Sequence, residues 1–192
     1  MAFGLEIILG VIAVLFLVVI IAVFIGIYNG FVRLRNNIKK SWANINVLLK
    51  QRSDELPKLI ASVKGYMKHE KTVLVNLTKA RTDVLKANTM AEKAEADNMI
   101  SGALKTIFAV AENYPNLKAN ENFLKLQERI SGLENELADR REFYNDSVNN
   151  FNIRLESFPD MIVGKMMSLQ REKMFRVTEK DKEDVKVDFS DM

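Results

Sequence analysis

The sequence predicts an all-α chain: a single N-terminal transmembrane helix, then an antiparallel three- to four-helix bundle with long helices. Three observations carry that expectation. Nearly every residue from Ile7 to Ile27 is apolar, and Glu6 is the only charge before Tyr28. Beyond that run, apolar residues recur at three-four spacing and never alternate with period two for long. The interruptions carry capping residues and proline rather than Gly-rich hairpin turns. The expected division is residues 1–27 as the anchor, 28–175 as the bundle and 176–192 as a charged tail.

The anchor is argued from length. A helix from Ile7 to Ile27 spans roughly 32 Å, against a hydrocarbon core of roughly 30 Å. Such a helix also satisfies its own backbone polar groups in lipid. A cleaved signal peptide is the competing reading, but it needs a basic start, a shorter apolar core and a small-residue cleavage site. Here the start is Met-Ala-Phe-Gly-Leu-Glu and the exit is Ile27-Tyr28-Asn29-Gly30. A retained anchor is therefore expected, with Ile7, Ile12, Leu15, Val19, Val23 and Ile27 facing lipid.

Flanking charge gives the expected orientation. Arg33, Arg35, Lys39 and Lys40 follow the span, and no Lys or Arg precedes it. The positive-inside rule then places the N-terminus outside and the bundle in the cytoplasm, as a single-pass protein of the cell membrane. The same four residues are candidates for headgroup contact, because anionic lipid favours basic groups near its surface.

Within the bundle, Ile38, Trp42, Ile45, Leu49, Leu56, Leu59, Val63 and Tyr66 form one stripe, with Arg52 in its single gap. The register passes through Pro57, which favours a kink near Arg52–Pro57 over a loop. Ser53-Asp54-Glu55 can also cap a new helix, and the sequence leaves both open. The stripe continues through Val73, Leu77, Ala80, Val84 and Ala87. Thr89 and Glu92 then have capping-box spacing. The helix they open carries Ile100, Leu104, Ile107 and Ala111 and ends at Tyr114-Pro115-Asn116. Asn120 caps a last long helix with Leu126, Ile130, Leu133, Leu137, Tyr144, Val148, Phe151 and Leu155 on one side, stopping at Phe158-Pro159. In the tail, Val185 to Phe189 can dock as a short extended segment.

Composition excludes several chemistries. The chain has 192 residues, about one domain's worth, and no Cys. Disulfide frameworks, zinc fingers, iron–sulfur clusters and thiol catalysis are therefore out. The single His69 rules out a multi-histidine metal site. No G-x-x-x-x-G-K-[ST] or G-x-G-x-x-G occurs, so nucleotide binding has no support. The pI is about 9.0, but the net charge is only +3 and the basic excess lies next to the span. Nucleic acid is not an expected partner. No catalytic residue, cofactor, metal or small-molecule substrate is assigned.

The polar residues that stand out are Arg52 and Arg140, on apolar stripes, together with Glu70 and Asn145. Charges on a core face must pair or reach water. Glu70 is expected to meet an arginine across the bundle. Asn145 is expected to fix register or bind a partner, while Asn149 and Asn150 face solvent. His69 reads as a surface residue.

Several stretches resemble one family. They are Tyr28 to Asn36, Trp42 to Arg52, Leu56-Pro57-Lys58-Leu59, Val63 to Glu70, Glu112 to Asn120, and Arg141 to Asn152 ending at Phe158-Pro159. In order and spacing they closely resemble the LemA family of bacterial membrane-anchored helical proteins, over about residues 5–175. Asn46 and Lys58 depart from the expected Asp and Asn. The resemblance implies one transmembrane helix and an antiparallel bundle, and no agreed enzymatic function. A branch associated with magnetosome organelles leans toward membrane organisation. A sensor kinase has carried the same name, but this chain has no kinase nucleotide motif.

The resulting expectation is a non-enzymatic membrane-anchored helical scaffold. Its partners are the lipid bilayer and either its own copies, as a homo-oligomer, or other membrane proteins. The alternative is an adaptor or regulator of a membrane protease or signalling complex. A membrane-tethered hydrolase is the remote third reading, and it requires a pocket holding both Glu70 and His69.

Overall fold

A computed structural model describes residues 2–67 and 70–175. His69 and the Val185–Phe189 segment lie outside those residues. All described elements are helices: α1 (Ala2–Lys64), α2 (Lys71–Lys86), α3 (Met90–Ala111), α4 (Pro115–Lys118), α5 (Glu121–Glu156) and α6 (Asp160–Met166). The all-α expectation and the long apolar N-terminal helix are both met.

α1 passes through Pro57 without a break, which decides the question left open by the sequence. Pro57 lies on the exposed side of the helix. Its missing N–H leaves the carbonyl of Ser53, one turn back, without the usual helical partner. The actual break comes later, between Gly65 and Glu70, inside a stripe that the spacing carries straight on. Gly65 costs about 1 kcal/mol of helix propensity relative to alanine, which favours termination there. The amides of Tyr66 and Met67 both close onto the Val63 carbonyl. Met67 is buried in place of Tyr66, which is exposed.

The other boundaries follow their caps. The Thr89 hydroxyl accepts from the Glu92 amide at 3.2 Å, and the Glu92 carboxylate accepts from Thr89 N–H at 3.1 Å. These main-chain donors, those of Thr89 and Asn88, hold the Glu92 carboxyl below its usual range. Pro115 stands at the first position of α4, where a missing N–H costs nothing. Asn120 Oδ1 accepts from the amides of Asn122 and Phe123, capping α5 as the sequence predicts. The Phe158–Pro159 peptide is cis.

The chain forms two compact units. One contains Met1–Trp42 and Phe143–Met174. In it, Phe31 meets Phe151 edge-on at 5.8 Å, and Trp42 meets Tyr144 at 6.1 Å. Rising numbers on α1 thus pair with falling numbers on α5, so the two helices run antiparallel here. Asn152 clasps the main chain of Glu172 through both its amide atoms, each at 3.0 Å.

The other unit contains Ala43–Glu142 and Phe175–Met192. There α1 runs parallel to α3, since Asn46 meets Lys93 and Arg52 meets Asp97. α5 runs antiparallel to α3, since Asp97 meets Arg141 and Phe108 meets Phe123. Its core includes Ile45, Leu56, Leu59, Leu77, Ile100, Leu104, Ile107 and Ile130. This is bundle packing, in which each helix buries its apolar stripe against its neighbours.

Candidate functional site

Three features outside the ordinary apolar core can carry function: an apolar span, a buried charge cluster and an open groove. The span begins with the residues that the sequence assigned to lipid. Ile7, Ile12, Leu15, Val19 and Val23 are exposed, and no part of the most apolar window is covered by the chain itself. The helix is long and apolar enough to cross a membrane. Ile27 differs, being only 8% exposed. Arg33, Arg35, Lys39 and Lys40 all present exposed side chains just beyond it.

The charge cluster lies in the unit holding Ala43–Glu142. Arg52 is 1% exposed and fills the gap in its apolar stripe, as predicted. Its Nη1 donates to Asp97 Oδ1 at 2.7 Å, and its Nη2 donates to the Ser101 hydroxyl at 3.0 Å. Glu134 stands 3.4 Å from the same nitrogen. Asp97 Oδ2 pairs with Arg141. One buried carboxylate therefore holds two arginines, and Glu134 brings the local charge to balance. The Arg141 guanidinium also stacks 4.8 Å from the centre of the Phe175 ring. Burial, aided by the charge of Arg52, pulls the Arg141 pKa down to about 10. Burial likewise lowers Arg52, with Glu134 working against it.

Two expectations change here. Arg140 does not join the cluster: it is exposed and lies 3.5 Å from Glu136 on its own helix. Arg141 takes the place because it stands four residues after Leu137 and three before Tyr144, which continues the stripe. The partner of Glu70 is a tyrosine rather than an arginine: Tyr114 Oη donates to Glu70 Oε1 at 2.9 Å. That carboxylate raises the Tyr114 pKa, chiefly through the hydrogen bond. Arg52 and Glu70 thus serve separate contacts. Asn145 is half-buried in the other unit, and Asn149 and Asn150 face solvent.

Asp97 escaped the sequence reading. It sits in a run of Ala, Glu and Lys that looks like an ordinary solvated helix. The available signal was its spacing, three residues before Ile100 and seven before Leu104.

The groove lies between the end of α1 and α2, with a volume of about 860 Å³. Ile60, Met67, Leu74 and Val75 supply apolar walls, and Lys64, Lys71 and Lys79 supply cations. Val75 is largely exposed within it. Among the described residues the arrangement offers apolar area and positive charge, but no paired nucleophile and base.

A family model described as the LemA family matches residues 41–189. Protein LemA of Metamycoplasma hominis is 29% identical over 181 residues, covering 90% of this chain and 81% of that protein. Magnetosome proteins MamQ 1 and MamQ 2 of Paramagnetospirillum magneticum are each 22% identical over 192 residues, covering 86% of this chain and 71% of theirs.

Proposed function

We propose that this chain, which belongs to the LemA family, is a membrane-anchored, non-catalytic scaffold that organises other proteins or its own copies at the membrane. The lysine-rimmed groove between α1 and α2 is the observation that carries the reading. Its apolar walls suit the apolar face of an amphipathic helix, and its three lysines suit an acidic flank on that helix. The occupant we assign is such a segment, supplied by another membrane-associated protein. Anchoring raises the effective concentration of both partners, so a modest groove suffices.

The polar chemistry supports a holding role. Asp97 is engaged by two arginines, and Glu70 accepts from Tyr114, which leaves both carboxylates with structural duties. In the assigned orientation the N-terminus is outside and the bundle cytoplasmic, because Arg33, Arg35, Lys39 and Lys40 flank the span on one side only. Two relatives named as magnetosome proteins are in keeping with a role at membranes. The rival reading, an adaptor for a membrane protease or signalling complex, uses the same groove with one fixed hetero-partner.

The test is photocrosslinking from Val75 in the full chain in native membranes. The scaffold reading expects several hetero-products, and their weakening by at least about tenfold when Lys64, Lys71 and Lys79 are changed to Glu. A single hetero-product selects the adaptor. Crosslinks indifferent to charge reversal remove the groove from either account.

A further inference from the structure

We propose that the turn joining α5 to α6 is a second membrane contact, in which Phe158, Ile162 and Met166 enter the lipid interface beside the N-terminal span. The proposal rests on the reading of α1 as a membrane anchor and extends it to a part of the chain more than a hundred residues away.

The placement comes from contacts within one unit. Gly30 stands three residues after the apolar run and faces Arg154. A β-carbon there would lie 2.9 Å from Arg154 Nη2, so the guanidinium packs directly against the glycine. Arg154 also lies over the Phe31 ring, 5.2 Å from its centre. Arg154 is thereby fixed level with the first turn beyond the span. α1 and α5 are antiparallel in this unit, so each residue after Arg154 moves back toward Ile27. At 1.5 Å per residue, the end of α5 at Glu156 is roughly 3 Å further on, and Phe158 follows it in the turn, close to the last turn of the apolar run. α6 lies level with the first turn beyond the span: Asp160 pairs with Arg154, and a β-carbon on Gly164 would lie 2.8 Å from Leu155 Cδ2 and 3.6 Å from Phe31 Cζ. The burial of Ile27 and the partial cover of Phe24, at the end of a run open to lipid up to Val23, fit protein reaching down to that depth.

The side chains displayed there suit lipid. Phe158 is 79% exposed, Met166 68% and Ile162 51%. Ile162 and Met166 are one turn apart and share a face of α6, opposite the buried Val163 and Gly164. In water this would be an unsatisfied apolar patch. Against a bilayer it is a short interfacial anchor, with Lys165 exposed among the apolar residues to meet headgroups. Glu156 and Asp160 are acids near this level, and their charges are matched by Arg171 and Arg154. The occupant is the bilayer because the patch continues a surface already apolar enough to need one.

The absence of native Cys makes the test direct. The full chain carrying Phe158→Cys, Ile162→Cys, Tyr28→Cys or Asn149→Cys is labelled with an environment-sensitive fluorophore. Each is reconstituted in phosphatidylcholine–phosphatidylglycerol vesicles containing a spin-labelled quencher lipid. All four sites are exposed, so the substitutions leave the core untouched. The proposal expects quenching at Phe158→Cys and Ile162→Cys at least half as strong as at Tyr28→Cys, and none at Asn149→Cys. Quenching at Tyr28→Cys alone overturns the second contact while the anchor stands. A blue shift at Phe158→Cys without lipid quenching overturns it in favour of a protein partner. Loss of quenching at every site overturns the anchor and this contact together.

Discussion

Arg81 Nε donates to the main-chain carbonyl of Ser53 at 2.9 Å. That carbonyl is the one Pro57 cannot bond, so a side chain from α2 repairs the ladder of α1. Arg81→Met should therefore cost about 1.5–3 kcal/mol, typical of a lost hydrogen bond from a charged donor. In a Pro57→Ala background the helix supplies its own N–H, and the same change should cost much less. Urea unfolding of the detergent-solubilised full chain, followed by helicity, measures both limbs of the cycle. Equal costs in the two backgrounds would mean the bond does not compensate for proline.

Asp97 neutralises two buried guanidinium groups, and its removal should be severe. Asp97→Leu leaves Arg52 and Arg141 facing each other without their shared counter-charge, at an expected cost of about 3–5 kcal/mol. Replacing Arg52 and Arg141 with Met in the same chain should recover most of that stability. The midpoint of urea unfolding tests this. A triple variant no better than Asp97→Leu would show that the cluster contributes packing rather than charge balance.

Tyr144 should ionise late. Its hydroxyl donates to the Lys173 carbonyl at 3.0 Å, and burial, with help from the Glu172 carboxylate, raises its pKa from 10 to about 12. Since the unfolded phenol loses its proton first, the stability it provides is complete below pH 10 and is lost as pH rises toward 12. Phenolate absorbance during alkaline titration should show a late phase, shared with Tyr114, whose amplitude Tyr144→Phe lowers by one tyrosine. A titration unchanged by that substitution would contradict the burial argument.

Gly164 packs so closely that a β-carbon would lie 2.8 Å from Leu155 Cδ2. Gly164→Val should destabilise by about 1–3 kcal/mol through overpacking. Gly164→Ala should cost less, because the nearest atom is a terminal methyl of Leu155, which can turn away. Melting temperatures of the two variants give the comparison, and equal values would argue against steric control.

Local rules made much of this molecule legible. Thr89 with Glu92, Asn120 and the Ile7–Ile27 run each declare their structure within a few residues. Arg52 was legible as a stripe residue, although its partner was not, because Asp97 is forty-five positions away in sequence and surrounded by helix-forming polar residues. Arg140 and Arg141 differ by one position, and only the register across the gap from Leu137 to Tyr144 decides which is buried. The carbonyl of Ser53 that Pro57 leaves free is met by Arg81, twenty-eight positions after Ser53, which no local rule can reach. The break at Gly65–Glu70 was hidden because the apolar spacing runs on across it.

The burial of Ile27 alters how thick a bilayer the span matches. Phe24 is already partly covered, so the fully open apolar stretch is Ile7–Val23. That is roughly 26 Å of helix rather than roughly 32 Å. A stretch of that length matches a thin hydrocarbon layer, and a thicker one must pinch inward around it. Hydrophobic mismatch of this kind sorts proteins laterally. The chain should therefore favour thinner regions of its membrane, such as those rich in short-tailed or unsaturated lipid.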